Sequence, residues 1–255
     1  MKILVATSSY PVQKAPHAGI FVQRNVEELE QLGVQCTVLR PGPSEPRADV
    51  IEPAHRVVEL PIRNRHSGAF LGRGIPEEMS SRPFRTGMDV LRCTRSMTRH
   101  MRRHGREYDW ILAHWAMPAG VAANRALSGG LKSTRLALWC HSSDVFALER
   151  LPLGKQIARI SLKRAEHVFV PSMNLKERMG ALLGDTQKIE VCHPGIKLGD
   201  APRPLPEQPL KVLFVRRLEA IKGVEMIPEL AAQNRQWEFS VVGQGALESS
   251  INGAS

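Results

Sequence analysis

Seven short runs of β-branched and aliphatic residues punctuate the first 200 residues: Ile3 to Ala6, Cys36 to Leu39, Val57 to Leu60, Trp110 to Ala113, Leu136 to Cys140, His167 to Val170 and Ile189 to Cys192. Helical patterns fill the gaps between them. The first, Ile20 to Leu32, places Phe21, Val22, Val26, Leu29 and Leu32 on one face and is closed by Gly33. Buried strands that alternate with amphipathic helices predict an α/β fold with a mainly parallel, doubly wound sheet, because parallel neighbours need a crossover helix between them. In such a sheet, ligands sit beyond the carboxyl ends of the strands. The search for chemistry therefore starts at the residues that follow each run.

The pattern breaks at 200–209, where Pro202, Pro204, Pro206 and Pro209 remove backbone donors and disfavour both helix and central strand. Residues 1–199 are expected to form one domain, 200–209 a linker and 210–255 the start of a second domain. That second part reads as a strand Lys211 to Val215, a helix from about Val224 to Asn234, a strand Glu238 to Val242 and the turn Gly243-Gln244-Gly245. So small a tail holds one βαβ unit, which suggests that the second domain is cut short.

With 42% apolar and 24% charged residues the chain is ordinary globular material, and no apolar run reaches the roughly 18 to 20 residues of a membrane span. The expected address is the cytoplasm. Cys36, Cys93, Cys140 and Cys192 lie far apart with no C-x-x-C pair, so they read as buried thiols, not as metal ligands or a disulfide framework. The net charge of +10 is concentrated: Pro61 to Arg106 holds eleven arginines against Glu77, Glu78 and Asp89, about +8 in one segment. A helix over Arg85 to Arg106 would spread Arg92, Arg95, Arg99, Arg102, Arg103 and Arg106 over one broad side, with Val90, Leu91, Met97 and Met101 as apolar contacts. Such a helix either lies on anionic lipid or is a solvated cover helix. Aromatic residues are only 5% and form no stacking platform among the arginines, so nucleic acid is not an expected partner.

Three places could hold chemistry. The loop Thr7 to Gly19 runs into the helix at Ile20 and can aim backbone N–H groups at an anion, although it lacks the G-x-G-x-x-G spacing and Gly19 could serve only to start the helix. His141-Ser142-Ser143-Asp144 follows a strand, so His141 stands at a carboxyl end, where it can hydrogen-bond a hydroxyl or phosphate. Asp144 can fix its tautomer or cap the next segment. His114, at a similar strand end, ranks lower because His114-Trp115 leads into an apolar helix start. Arg217 and Lys222 flank the crossover after the strand Lys211 to Val215, where an arginine fork and a lysine suit a diphosphate. Glu219 between them is a local ion-pair partner for either cation, and surface solvation is the bland alternative.

Taken in order, Lys2-Ile3-Leu4-Val5 to Ser9-Tyr10-Pro11, Gly19 to Val22, His114-Trp115 to Pro118-Ala119-Gly120, His141 to Asp144, Val170-Pro171-Ser172 and His193-Pro194-Gly195 resemble bacterial glycosyltransferase family 4. Phe214 to Leu218 through Lys222-Gly223, and then Val241 to Gly245, extend the resemblance. It implies a GT-B architecture of two Rossmann-like domains and a retaining transfer of a hexose from a sugar nucleotide to a glycan or lipid-linked acceptor, in surface polysaccharide or glycolipid assembly. The competing reading is a catalytically incompetent fragment that binds anionic membrane or glycan. The resemblance further implies that His141 and Asp144 lie near the transferred sugar, and that Arg217 and Lys222 hold the donor diphosphate in place of a metal, so no cofactor is expected. Gly19, Gly243 and Gly245 would approach the nucleotide. Arg216 and Ala18 stand where the family usually has glycine, and the family's E-x7-E carboxylate pair would lie beyond Ser255. An anionic membrane, met through residues 61–106 at the inner face of the cell membrane, is the expected surface partner.

Overall fold

The computed structural model describes residues 1–12, 18–42, 55–61, 68–71, 74–131, 133–195 and 209–252. The chain divides into two compact units, Met1–Ile196 and Lys197–Ser255. The proposed linker 200–209 lies outside the described residues except for Pro209.

Unit 1 is built on seven parallel strands: β1 (Lys2–Ala6), β2 (Gln35–Gly42), β3 (Arg56–Pro61), β4 (Trp110–His114), β5 (Arg135–Trp139), β6 (His167–Val170) and β7 (Ile189–Val191). Their order is β3-β2-β1-β4-β5-β6-β7, all seven expected strands in one doubly wound sheet. The order reverses between β1 and β4, where Ala6 pairs in register with Ala113, so the loops after these two strands leave the sheet side by side on diverging paths.

The helices are α1 (Ile20–Gln31), α2 (Gly68–Leu71), α3 (Ile75–Ser81), α4 (Pro83–His104), α5 (Val121–Ser128), α6 (Ser142–Arg150), α7 (Gly154–Leu162) and α8 (Met173–Leu183). Because strand side chains alternate, Leu4 and Ala6 join one core with Ile111, Leu136, Leu138 and residues of α4 to α8, while Ile3 and Val5 join a second with Val22 and Val26 of α1. Apolar side chains on both sides of the sheet explain the unbroken apolar runs.

α4 starts two residues earlier than the charge pattern suggests, at Pro83, whose fixed φ and missing N–H suit a first helical turn. It buries Val90, Cys93, Thr94, Met97, Thr98 and Met101, and Leu91 is only half-buried. Thr94 and Thr98 remain tolerable in that face because each hydroxyl donates to the carbonyl four residues back, Val90 O and Thr94 O, at 2.8 Å. Arg82, Arg85, Arg92, Arg95, Arg99, Arg102, Arg103 and Arg106 are all exposed, while Arg63, Arg65 and Arg73 fall outside the described residues. Cys36, Cys93 and Cys140 are buried, and Cys192 is only partly so.

Unit 2 holds β8 (Lys211–Val215) paired in parallel with β9 (Glu238–Val242), with α9 (Ile227–Gln233) between them and α10 (Glu248–Asn252) after. The single helix expected from Val224 to Asn234 is instead a 3-10 turn, Val224–Met226, followed by the seven residues of α9. Pro228 is the reason: without an N–H it is at home in a first turn and costly in an interior, so the α-helix begins at Ile227.

Candidate functional site

The loop after β1 folds on itself. Thr7 Oγ1 donates to Ser9 O at 2.8 Å and accepts from Ser9 N at 3.2 Å, and Tyr10 then turns inward, 4% exposed, with its hydroxyl bonded to His55 Nε2. Burial, aided by the charge of Glu27, pushes the Tyr10 hydroxyl far above its usual range. Gly19 closes the loop with φ +67°, and a Cβ there would stand 2.3 Å from Ser9 O. Glycine is thus required twice at this position, by its left-handed backbone and by the backbone opposite. The first turn of α1 has neither a side-chain cap nor an acidic residue of its own to offset its N-terminal dipole end.

At the ends of β4 and β5 stand His114 and His141. Their rings are stacked at 5.4 Å between centroids and 9° between planes, and His114 Nδ1 lies 3.1 Å from His141 Nε2. His114 is 1% exposed, and Trp139 stacks on it at 5.7 Å. Burial holds both imidazoles neutral: His114 falls well below the usual value, and His141 falls to about 3. Phe21, in the first turn of α1, meets His141 at 4.8 Å and Trp115 at 5.6 Å, so the loops after β1, β4 and β5 converge on one aromatic cluster at the carboxyl edge.

Asp144, in the first turn of α6, fixes that convergence through the backbone. Its carboxylate accepts from Ala116 N at 2.8 Å, His141 N at 2.7 Å and Val145 N at 3.1 Å, which ties the chain after β4 to the chain after β5. Burial raises its pKa to about 7 against these backbone donors. Of the two roles open to Asp144 in the sequence, the structure shows the cap: His141's ring pairs with His114 instead. His114, ranked lower in the sequence as a residue that packs, is indeed buried against Trp139, and its ring also pairs with His141, which a strand-end histidine before an apolar turn does not reveal. Trp115 was no candidate either, yet it takes φ +69°, the one non-glycine with positive φ among the described residues, and its Nε1 donates to Ser143 Oγ at 3.2 Å.

In unit 2 the loop after β8 carries Arg217, half-exposed and paired with Glu219 at 3.0 Å. Lys222 ends a 3-10 turn, Ala220–Lys222, and is followed by Gly223 at φ +73°. The glycines of the β9 turn allow close packing against this loop, because a Cβ on Gly243 would meet Arg216 O at 1.8 Å and one on Gly245 would meet Leu218 O at 2.3 Å. Leu218 N donates to Gln244 O at 2.9 Å and secures the contact. Arg216 has no positive φ, so its backbone accommodates a side chain where glycine was expected.

Residues 18–200 match the model of Glycosyltransferase Family 4. The chain belongs to this family. TuaC of Bacillus subtilis (strain 168), which bears the name of a teichuronic acid biosynthesis glycosyltransferase, is 30% identical over 197 residues, covering 72% of this chain and 47% of its own length. The family-4 chain thus spans about half the length of this curated relative. Among solved structures, the apo form of the lipopolysaccharide outer core galactosyltransferase WaaB aligns at TM-score 0.65 and 14% identity, over 100% of this chain and 64% of that one. Sucrose-phosphate synthase from Thermosynechococcus elongatus aligns at 0.66 and 17%, over 99% and 67%. Anabaena HepE, solved with UDP and glucose, aligns at 0.61 and 14%, over 100% and 64%. These similarities establish the GT-B type of fold for the family-4 chain, with a Rossmann-like unit 1.

Proposed function

We propose that this family-4 chain serves a retaining transfer of a hexose from a sugar nucleotide to a glycan or lipid-linked acceptor in polysaccharide or glycolipid assembly. The observation that carries the reading is the convergence of α1's uncapped start, His141 and the aromatic pair Phe21 and Trp115 at the point where the strand order reverses. Relatives' names point the same way, since HepE was solved with UDP and glucose and TuaC is named for teichuronic acid biosynthesis.

In this reading the acceptor oxygen bonds to the anomeric carbon on the face from which the diphosphate departs, and a leaving phosphate oxygen takes the acceptor's proton. Arg217 and Lys222 stabilise the departing negative charge, so no metal ion is called for. Gly19 and α1 offer N–H groups to the donor phosphates, and Gly243 and Gly245 hold the Arg217 loop. His141 is the catalytic residue that touches the sugar, and Asp144 is a positioning residue that acts through backbone N–H groups.

Calorimetry with UDP- and GDP-sugars on the chain tests this directly. Arg217→Ala and Lys222→Ala are each expected to weaken binding about 10- to 100-fold, the size of a lost charge-assisted contact. A folded chain that binds neither donor would overturn the reading and leave a glycan- or membrane-binding role.

A second observation favours a membrane surface as partner, which would place a cytoplasmic chain at the inner face of the cell membrane. Among the described residues no helix is long and apolar enough to cross a membrane. Yet Phe84, at the start of α4, is 84% exposed between the exposed Arg82 and Arg85, at the head of the arginine face. An exposed aromatic beside clustered cations suits an anionic interface. Sedimentation with phosphatidylglycerol vesicles is expected to pull the chain down at about 50 mM salt and release it by about 500 mM, where screening is short-ranged. Phe84→Ser should weaken the residual binding, and binding to neutral vesicles of equal strength would count against the proposal.

A further inference from the structure

The aromatic cluster at the carboxyl edge has already used its ring nitrogens. His141's side chain accepts from Asp144 N in a capping box at the start of α6, and its Nε2 faces His114 Nδ1 at 3.1 Å, so Nδ1 is the accepting nitrogen. A neutral imidazole carries one hydrogen, which therefore stands on Nε2 and is donated to His114. The hydrogen of His114 then falls on its own Nε2, an atom sealed inside the protein. Trp115 Nε1 is likewise taken, by Ser143 Oγ at 3.2 Å. What His141, Trp115 and Phe21 turn towards a ligand is thus carbon and π surface.

Phe21 is 38% exposed, and Trp115 is partly exposed beside it. Their rings are inclined by 62°, Phe21 meets His141 at 59° and Trp115 meets His141 at 50°. Three rings so inclined make a corner and not a slot, because no two of them lie parallel to sandwich a flat base. A pyranose ring is puckered, with C–H bonds on its faces and hydroxyls around its edge. The C–H faces suit the electron-rich π surface. The hydroxyls find polar groups at the rim, in the first-turn N–H groups of α1, which lack a side-chain cap, and in the exposed Ser142 and Ser143. Trp115 is also held at φ +69°, backbone strain of the kind that collects where ligands are clamped. We infer that Phe21, Trp115 and the ring of His141 form a specificity-determining corner that stacks on the C–H face of a pyranose, with Phe21 as the residue that selects it. Assigning that ring to a transferase substrate rests on the proposed function, whereas the stacking does not.

Saturation-transfer NMR from the aromatic protons of the full chain to methyl β-D-galactopyranoside and methyl β-D-glucopyranoside reads the stack. The ring C–H protons of the glycosides are expected to take up saturation, and those of sorbitol, which carries hydroxyls but no ring, are not. Phe21→Leu, apolar but without a π face, should weaken the glycosides about 3- to 10-fold, and Phe21→Tyr should keep them. Urea midpoints check that both variants fold. Competition by UDP-glucose identifies the source of the ring: it displaces the glycoside where the corner holds the donor's own sugar and leaves it bound where the corner holds an acceptor. Either result sustains the inference. Equal saturation of sorbitol would overturn it, as would displacement of the glycosides by uridine, and neither arm needs a variant. Glycosides that stack on a chain binding no sugar nucleotide would sustain the corner while removing the proposed function. A chain that binds UDP-glucose, but whose glycoside affinity is the same in Phe21→Leu and Phe21→Tyr, would remove the inference alone.

Discussion

Unit 1 is expected to lose stability as the pH falls from 6.5 to 4, through three groups at one end of its sheet. His114 and His141 are held neutral in the folded chain by burial, with folded pKa values below the ordinary 6.5, that of His141 at about 3. Each histidine binds its proton more readily in the unfolded chain than in the folded one, so through them stability rises with pH. Asp144 has the opposite sign. Its folded pKa of about 7 lies above the unfolded 3.8, so the folded form binds a proton that the unfolded form has lost, and stability falls as pH rises. Two against one leaves a net uptake of protons on unfolding, so stability falls as the pH falls. Urea unfolding at a series of pH values measures this slope. His141→Gln should flatten it and Asp144→Asn should steepen it. A stability that does not change between pH 4 and 6.5 would mean that the rings are not sealed as the structure has them.

Gly19→Ala should cost about 3 kcal/mol, where Gly33→Ala costs about 1 kcal/mol. Both glycines have positive φ, +67° and +79°, so both substitutions meet the left-handed penalty. Only at Gly19 does the new Cβ also run into backbone, with Ser9 O at 2.3 Å and Tyr10 N at 2.9 Å, while at Gly33 nothing lies within 4 Å. Backbone cannot swing aside as a side chain can, so either Ser9 to Tyr10 or the start of α1 must move. If the start of α1 receives donor phosphates, sugar-nucleotide affinity should fall with stability in Gly19→Ala and remain unchanged in Gly33→Ala. Equal denaturation midpoints for the two variants would show that the loop is not packed against Gly19.

What the sequence reveals depends on how local the cause is. The seven strands of unit 1 and the helix α1 were legible because burial on two faces, or on one helical face, imposes a pattern within a few residues. β2 was read only to Leu39, yet it runs to Gly42. Arg40 looks like the end of a strand, but the residue is only 5% exposed and its terminal guanidinium nitrogens are held by Pro11 O at 2.7 Å and by Glu59 on the neighbouring strand. The Tyr10–His55 bond is likewise invisible, since it joins residues 45 apart that carry no joint signature. His141 could be placed from its strand alone. The pairing of His114 joins it to a residue 27 positions away, and so emerges only with the fold.

Trp115 shows what this convergence demands of the chain. A bulky side chain at φ +69° costs on the order of 1 to 3 kcal/mol and persists only where its surroundings over-determine it. Here Trp115 N donates to Trp139 O at 2.9 Å, its carbonyl receives Gly120 N at 3.1 Å, and the indole is pinned to Ser143. Glycine at this position would relax the backbone while removing the indole from His141 and Phe21. A search for more stable variants would therefore be drawn to a residue whose replacement unmakes the cluster, so thermal robustness and the proposed sugar recognition pull position 115 in opposite directions.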